Sequence, residues 1–188
     1  MRTNLNHICA IPISDRTQTN KANGGKFLHE CTFHDAMKFT LQWEGGISKD
    51  PQDPGNAGGN ATAYGVTQRA YNSYRKKQGY SLKNVTTITN KEVHNLYQID
   101  YFSPLKPKNL SPRHAIALFD TAVNVGVPQA KRLFQKALQI GDGDKFKTLS
   151  SFLDLRRAFY RKLAKREPYS RYLKGWLNRT NALERYLR

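Results

Sequence analysis

Apolar residues recur at helical spacing through most of the chain, and clusters of Gly, Pro, Asp and Asn interrupt them. Residues 1–31 are the exception. Asn4, Asn6, Thr17, Thr19, Asn20, Asn23, Gly24 and Gly25 carry neither a helical nor a strand period, which predicts a polar N-terminal extension. The first helix is expected from Thr32, a residue able to cap it, with Asp35 in the first turn. Phe33, Met37, Leu41 and Glu44 follow at steps that put them on one face, and Gly45 and Gly46 end the pattern. Glu44 is thus expected on the last turn, in line with three apolar side chains. From Gly45 to Thr67 the chain reads as a long loop with a short hairpin around residues 61–66.

The remaining pattern is helical. A helix over 68–77 turns Ala70, Tyr71 and Tyr74 inward. Thr89 and Glu92 form a capping-box pair ahead of Val93, Leu96, Tyr97 and Tyr101. Ser111 and Pro112 open a helix with Ile116, Phe119 and Val123 inside, closed by Gly126. Pro128 opens another, carrying Ala130, Leu133, Phe134, Ala137 and Leu138 to Gly141. A longer helix is expected over 150–167, with Phe152, Leu153, Phe159, Tyr160 and Leu163 on one side. Arg156, Arg157, Arg161, Lys162, Lys165 and Arg166 form the other. An amphipathic segment over 176–187 ends the chain. The fold class is mainly α, a helical fold with a long loop or small β-hairpin after the first helix.

Composition supports a folded domain. The chain has 188 residues, 38% hydrophobic and 11% aromatic, enough for a real core and unlike a disordered chain. No apolar run approaches the roughly 20 residues that span a bilayer. The patch from Ile8 to Ile13 is too short, and carries Pro12, to serve as the h-region of a signal peptide. Two cysteines, Cys9 and Cys31, allow one bridge but no disulfide framework and no four-cysteine zinc site. The five histidines lack metal-ligand spacing, and the Asp142–Asp144 run lacks the other ligands of a calcium loop, so no metal and no cofactor is expected.

The charge is uneven. The formal net charge is +17; residues 1–100 carry 12 basic and 8 acidic residues, residues 101–188 carry 19 and 6. Such an excess predicts an anionic partner, drawn by attraction screened over about 8–10 Å at physiological salt. Nucleic acid, anionic lipid and anionic cell wall all qualify on charge alone.

The chemistry concentrates between Trp43 and Thr67. Glycoside cleavage needs one carboxyl group that donates a proton, favoured in an apolar, partly dry setting, and a second that stays ionised in a polar one. Glu44 suits the first role. Asp53 or Asp50, in a Gly/Asn/Pro loop, suits the second. Thr62 and Thr67 offer hydroxyls able to hold a water. A Glu before Gly-Gly also fits an ordinary helix end, and the DPQDPG run an ordinary turn.

This stretch resembles the signature of glycoside hydrolase family 108, the N-acetylmuramidase family whose members cut peptidoglycan. The resemblance rests on Glu44, Gly45, Gly46, Asp50, Pro51, Asp53, Gly58, Gly59, Thr62, Tyr64, Gly65, Val66 and Thr67. Ile47 stands where the family has Tyr, and extra residues lie between Asp53 and Thr62. Leu96, Tyr97, Tyr101, Phe102 and Pro104 resemble the family's next helix, with Phe102 for Trp. Phe119, Asp120, Ala122, Val123, Asn124 and Gly126 open a region similar to the family's peptidoglycan-binding part, and residues 176–179 resemble its last block.

The resemblance implies a lysozyme-like fold cleaving the β-1,4 bond between N-acetylmuramic acid and N-acetylglucosamine. It implies Glu44 as the acid, with Asp53 favoured over Asp50 as its partner and Thr62 positioning water. Asp50, Tyr64, Asp120 and Asn124 are the candidate substrate contacts; Asp120 and Asn124, four apart on one helix, equally fit hydrogen bonding within the helix bundle. The organisation expected is an extension over 1–31, a catalytic lobe over 32–104 and a basic helical, peptidoglycan-binding-like lobe over 105–188, packed as one compact unit. The expected partner is peptidoglycan, or an anionic outer-membrane surface, acting as a monomer. With no nucleic-acid motif, nucleic acid is not expected as a partner. Without a signal peptide, release by a phage holin or carriage in the virion is the expected route to the wall, in the periplasm or outside the cell. Two rival readings are a non-catalytic wall-binding or virion structural module of the same fold, and a nucleic-acid-binding protein.

Overall fold

The computed structural model describes residues 13, 24–48 and 61–188. Helix α1 spans Gly24–Leu41, strands β1 and β2 are Ile47–Ser48 and Thr62–Ala63, and β3 is Val66–Thr67. Helices α2 (Gln68–Lys77) and α3 (Asn90–Leu96) follow; α3 runs on as a wider π-helical turn, Tyr97–Phe102. Then come α4 (Pro112–Val125), α5 (Val127–Gly141), α6 (Lys145–Leu163) and α7 (Leu173–Tyr186). The fold is mainly α and lysozyme-like, with one small antiparallel sheet, β1-β2-β3, among the described residues. No helix described here is long and apolar enough to cross a membrane. The described residues divide into two compact units, one formed by those up to Phe39 with Leu105–Arg188, the other by those between Thr40 and Pro104.

Caps set most of the helix ends. Thr67 accepts from Ala70 N at the start of α2, and Thr89 and Glu92 close the capping box of α3. Ser111 caps α4 with Pro112 in its first turn. Gly126, at φ 85°, joins α4 to α5.

Three boundaries differ from the sequence reading. Helix α1 begins at Gly24, not Thr32. Thr32, Asp35 and Thr40 are buried alongside Cys31, Phe33, Ala36, Met37 and Phe39, so burial runs round the helix and blurs the amphipathic period. Cys31 is fully buried and disulfide-bonded; Cys9 lies outside the described residues. Helix α6 begins at Lys145, because Asp144 accepts from Lys147 N at 2.9 Å and caps it, and it ends at Leu163. The Asp142–Asp144 run is therefore a turn between helices, with Asp142 left-handed at φ 48°. Helix α7 begins at Leu173, ahead of the expected Trp176.

In the first unit the core is aromatic. Phe33 meets Phe119 edge-on at 5.8 Å, and Phe134 meets Phe152 at 5.3 Å; such pairs add about 0.5–1.5 kcal/mol beyond their area. Leu138, expected inside, is half exposed. Arg156, expected on the basic outer face, is fully buried. In the second unit α2 is tied to α3. Arg75 pairs with Glu92, and the Tyr71 hydroxyl donates to Glu92 at 2.9 Å. Burial pushes the Glu92 carboxyl up, but hydrogen bonds from Thr89 and Tyr71 and the Arg75 charge hold it below the ordinary value.

Candidate active site

The site grows from the end of α1. The carbonyl of Thr40 accepts from both Trp43 N, at 3.0 Å, and Glu44 N, at 3.2 Å. The chain therefore wraps once more after Leu41 and carries Glu44 just beyond the helix, not on its last turn. Leu41 is 37% exposed, so the apolar stripe read from the sequence does not surround Glu44. Glu44 is half-buried. Its cover comes from the β2–β3 hairpin.

That hairpin has a two-residue loop, with Thr62 opposite Thr67 and Ala63 opposite Val66. Tyr64 (φ 52°) and Gly65 (φ 74°) are both left-handed, the geometry that matches the twist of the strands. Glycine adopts it freely; tyrosine does so at a cost. The turn is held from two sides. Tyr64 N donates to Gly46 O at 3.3 Å, and the hydroxyl of Tyr97, a buried residue of the π-helical turn, donates to Tyr64 O at 2.8 Å. Gly65 then lies directly on the carboxyl group. A Cβ built there would land on Glu44 Oε2, 2.8 Å from Tyr97 Oη and 2.9 Å from Glu44 Cδ. Only a residue with no side chain permits this approach.

Other groups surround the carboxylate. Tyr101 stacks obliquely on Tyr97, ring centres 5.4 Å apart. Burial raises the Tyr101 phenol, with Asp100 and Glu44 adding to the rise and Arg69 opposing it. Trp43, next to Glu44 in the chain, and Tyr64, next to Gly65, are 38% and 37% exposed. Exposed rings adjacent in the chain to Glu44 and Gly65 suit the apolar faces of a sugar.

The expected site residues fare differently. Glu44 and Tyr64 come together through the hairpin. Thr62 lies on β2, buried, opposite Ser48 of β1. Asp50 and Asp53 lie outside the described residues. Asp120 and Asn124 belong to the other unit and are engaged there. Asp120 is fully buried; Arg156 Nη1 reaches its Oδ2 and Arg179 Nη2 its Oδ1, each at 2.7 Å. Burial raises its carboxyl, but the two guanidiniums hold it below the ordinary value. Asn124 accepts from the Tyr160 hydroxyl, which accepts in turn from Arg156 Nε at 3.1 Å. The reading of Asp120 as a sugar contact is therefore corrected: its oxygens are occupied and closed to solvent, and they join α4, α6 and α7. Among the described residues no His/Cys/Asp/Glu cluster is built to hold a metal.

Sequence reading missed the hydroxyl of Tyr97. Its place on an apolar stripe marks the ring as core, and nothing in the spacing shows that its oxygen reaches a backbone carbonyl 33 residues away.

Residues 37–126 match the model of the Glycosyl hydrolase 108 family. The chain also matches the structure of Brucella abortus SagA, with a TM-score of 0.69 and 22% identity, covering 84% of this chain and 95% of that one. That likeness is one of fold. No curated protein matches the chain.

Proposed function

We propose, from the match of residues 37–126 to the Glycosyl hydrolase 108 family, that this chain is a glycoside hydrolase of that family and that its substrate is peptidoglycan. The bond cut is the β-1,4 link between N-acetylmuramic acid and N-acetylglucosamine, and the outcome is lysis of the bacterial cell wall. The supporting observation is the packing of Glu44 against Gly65, inside the family-matched segment, with exposed Trp43 and Tyr64 adjacent to them in the chain.

In this reading Glu44 protonates the glycosidic oxygen as the bond breaks. The hairpin and Tyr97 hold its carboxyl in place, which matters because a donor must stand within hydrogen-bond reach of the leaving oxygen. Asp53 supplies the ionised partner on the opposite face of the sugar, and Thr62 orients water. Trp43 and Tyr64 carry the sugar rings. The cationic C-terminal segment, with 13 Lys+Arg and 3 Asp+Glu over residues 145–188, holds the protein on the anionic wall.

Release of reducing ends and muropeptides from purified wall tests the reading. Wild type is expected to release them, and Glu44→Gln to lose about 10²–10⁴-fold while keeping its fold, because Gln keeps the shape but donates no proton to the leaving group. Asp53→Asn should cost far more than Asp50→Asn. A Glu44→Gln protein that clears wall at the wild-type rate removes the assignment.

A further inference from the structure

The mechanism leaves one strongly polar surface of the same unit unused. Helix α2 buries Tyr71, Tyr74 and Arg75 on one side. Its other side presents Arg69, Asn72, Ser73 and Lys76 at i, i+3, i+4 and i+7, a single stripe. These four line an open groove of about 460 Å³, which Gln68 completes. Helix α2 contains no acidic residue. Neighbouring Lys77 is neutralised by Asp100 at 2.8 Å, whereas neither Arg69 nor Lys76 enters an ion pair among the described residues.

The stripe lies close to the candidate acid. Arg69 is four residues from Gly65, which touches the Glu44 carboxyl, and four residues span at most about 14 Å. Tyr101 feels the charges of both Glu44 and Arg69, so the two side chains lie near one phenol. A groove this near the Glu44–Gly65 contact, cationic, donor-rich and free of carboxylates, is suited to an anion attached to the sugar.

We propose that the Arg69–Lys76 face of α2 is a subsite for the carboxylates of the stem peptide carried by the muramic acid residue. Arg69 offers a planar fork that fits a carboxylate through two parallel hydrogen bonds, Lys76 adds a second positive charge two turns on, and Asn72 and Ser73 supply hydrogen-bond partners for the peptide amides between them. The subsite rests on the peptidoglycan reading and deepens it: it makes the enzyme prefer stem-bearing, acidic strands to neutral glycans of the same backbone.

Two measurements separate the subsite from the reading beneath it. The first is binding without turnover. A soluble disaccharide-tetrapeptide is titrated into Glu44→Gln protein with and without Arg69→Gln and Lys76→Gln. Loss of two charge-assisted hydrogen-bonding partners should weaken binding about 10- to 100-fold. Arg69→Lys should recover part of the loss. The same peptide with its carboxyl groups amidated should bind both proteins equally weakly. The second is hydrolysis of native and carboxyl-amidated glycan strands. Wild type should show a raised KM on amidated strands, and the double variant the same raised KM on both. Equal binding of the acidic peptide by both proteins, or a double variant that still discriminates native from amidated strands, overturns the subsite. A wild type that binds the acidic peptide through Arg69 and Lys76 yet cleaves neither strand overturns the hydrolase reading alone. Arg69 and Lys76 are exposed, so the variants should unfold at the wild-type temperature.

Discussion

Replacing Gly65 by Ala perturbs the candidate acid through one methyl group. Two costs can be separated. Alanine in the left-handed region, here at φ 74°, is destabilised by about 1–2 kcal/mol. The second cost is steric. The new Cβ would stand 2.8 Å from Tyr97 Oη and 2.9 Å from Glu44 Cδ, whereas ordinary contact begins at 3.4 Å. The hydroxyl must retreat by about 0.6 Å and the carboxyl carbon by about 0.5 Å, with Oε2 moving further. Displacements near 1 Å at a reacting group cost about 10²-fold in rate. Gly65→Ala should therefore lower kcat about 100-fold with little change in KM. For a chain of this size the backbone term should lower Tm by about 2–8 °C. Gly65→Asn divides the two costs, since Asn tolerates left-handed backbone yet brings the same Cβ. It should regain much of the Tm and none of the activity. Muropeptide release and thermal unfolding, measured on both variants, check this. If Gly65→Ala works at the wild-type rate, or if Gly65→Asn recovers rate together with stability, the carboxyl is not held by this contact.

Three further outcomes follow from the other unit and the surface. Asp120→Asn leaves Arg156 and Arg179 buried without their counter-charge and should cost about 3–5 kcal/mol in urea unfolding; because the Asp120 carboxyl is held low, its contribution is present at neutral pH and is lost as pH falls through its folded-state pKa. His114 is buried, its Nε2 donating to Lys145 O at 3.1 Å and its Nδ1 accepting from Ser111, and burial lowers its pKa. The unfolded chain therefore takes up a proton first as pH drops below about 6.5, stability falls with it, and His114→Gln should flatten part of that slope, leaving the share of His29, which burial and Lys108 also lower. Exposed Arg161, Lys162, Lys165 and Arg166, changed together to Gln, should weaken co-sedimentation with wall at low salt and matter little at high salt, with hydrolysis of short soluble fragments unchanged; Arg157 is kept because it pairs with Asp154 and Glu184.

Local chemistry sufficed for the helix frame. The Thr89–Glu92 capping box, the Ser111–Pro112 start and the end at Gly141 depend on neighbours three or four residues apart, so residue order alone reveals them. The hairpin after Ala61 is equally local: Tyr64 and Gly65 form its loop, and the flanking pairs sit in register around them. The motif also pointed to Glu44 as the group with chemistry. Its surroundings were beyond such reasoning, because they are assembled from three distant segments. Gly65 reaches Glu44 across 21 positions, and Tyr97 reaches Tyr64 across 33. Helix α1 misled because, between Cys31 and Thr40, all residues but His34 and Lys38 are buried, polar Thr32, Asp35 and Thr40 among them, which blurs the amphipathic stripe there. Arg156 misled for the opposite reason, whereas the spacing of Asp120 had left a bundle role and a cleft role equally open. A charged residue reads as surface, and only packing at long range brings one carboxylate between two guanidiniums, so that each desolvated charge is compensated by the others.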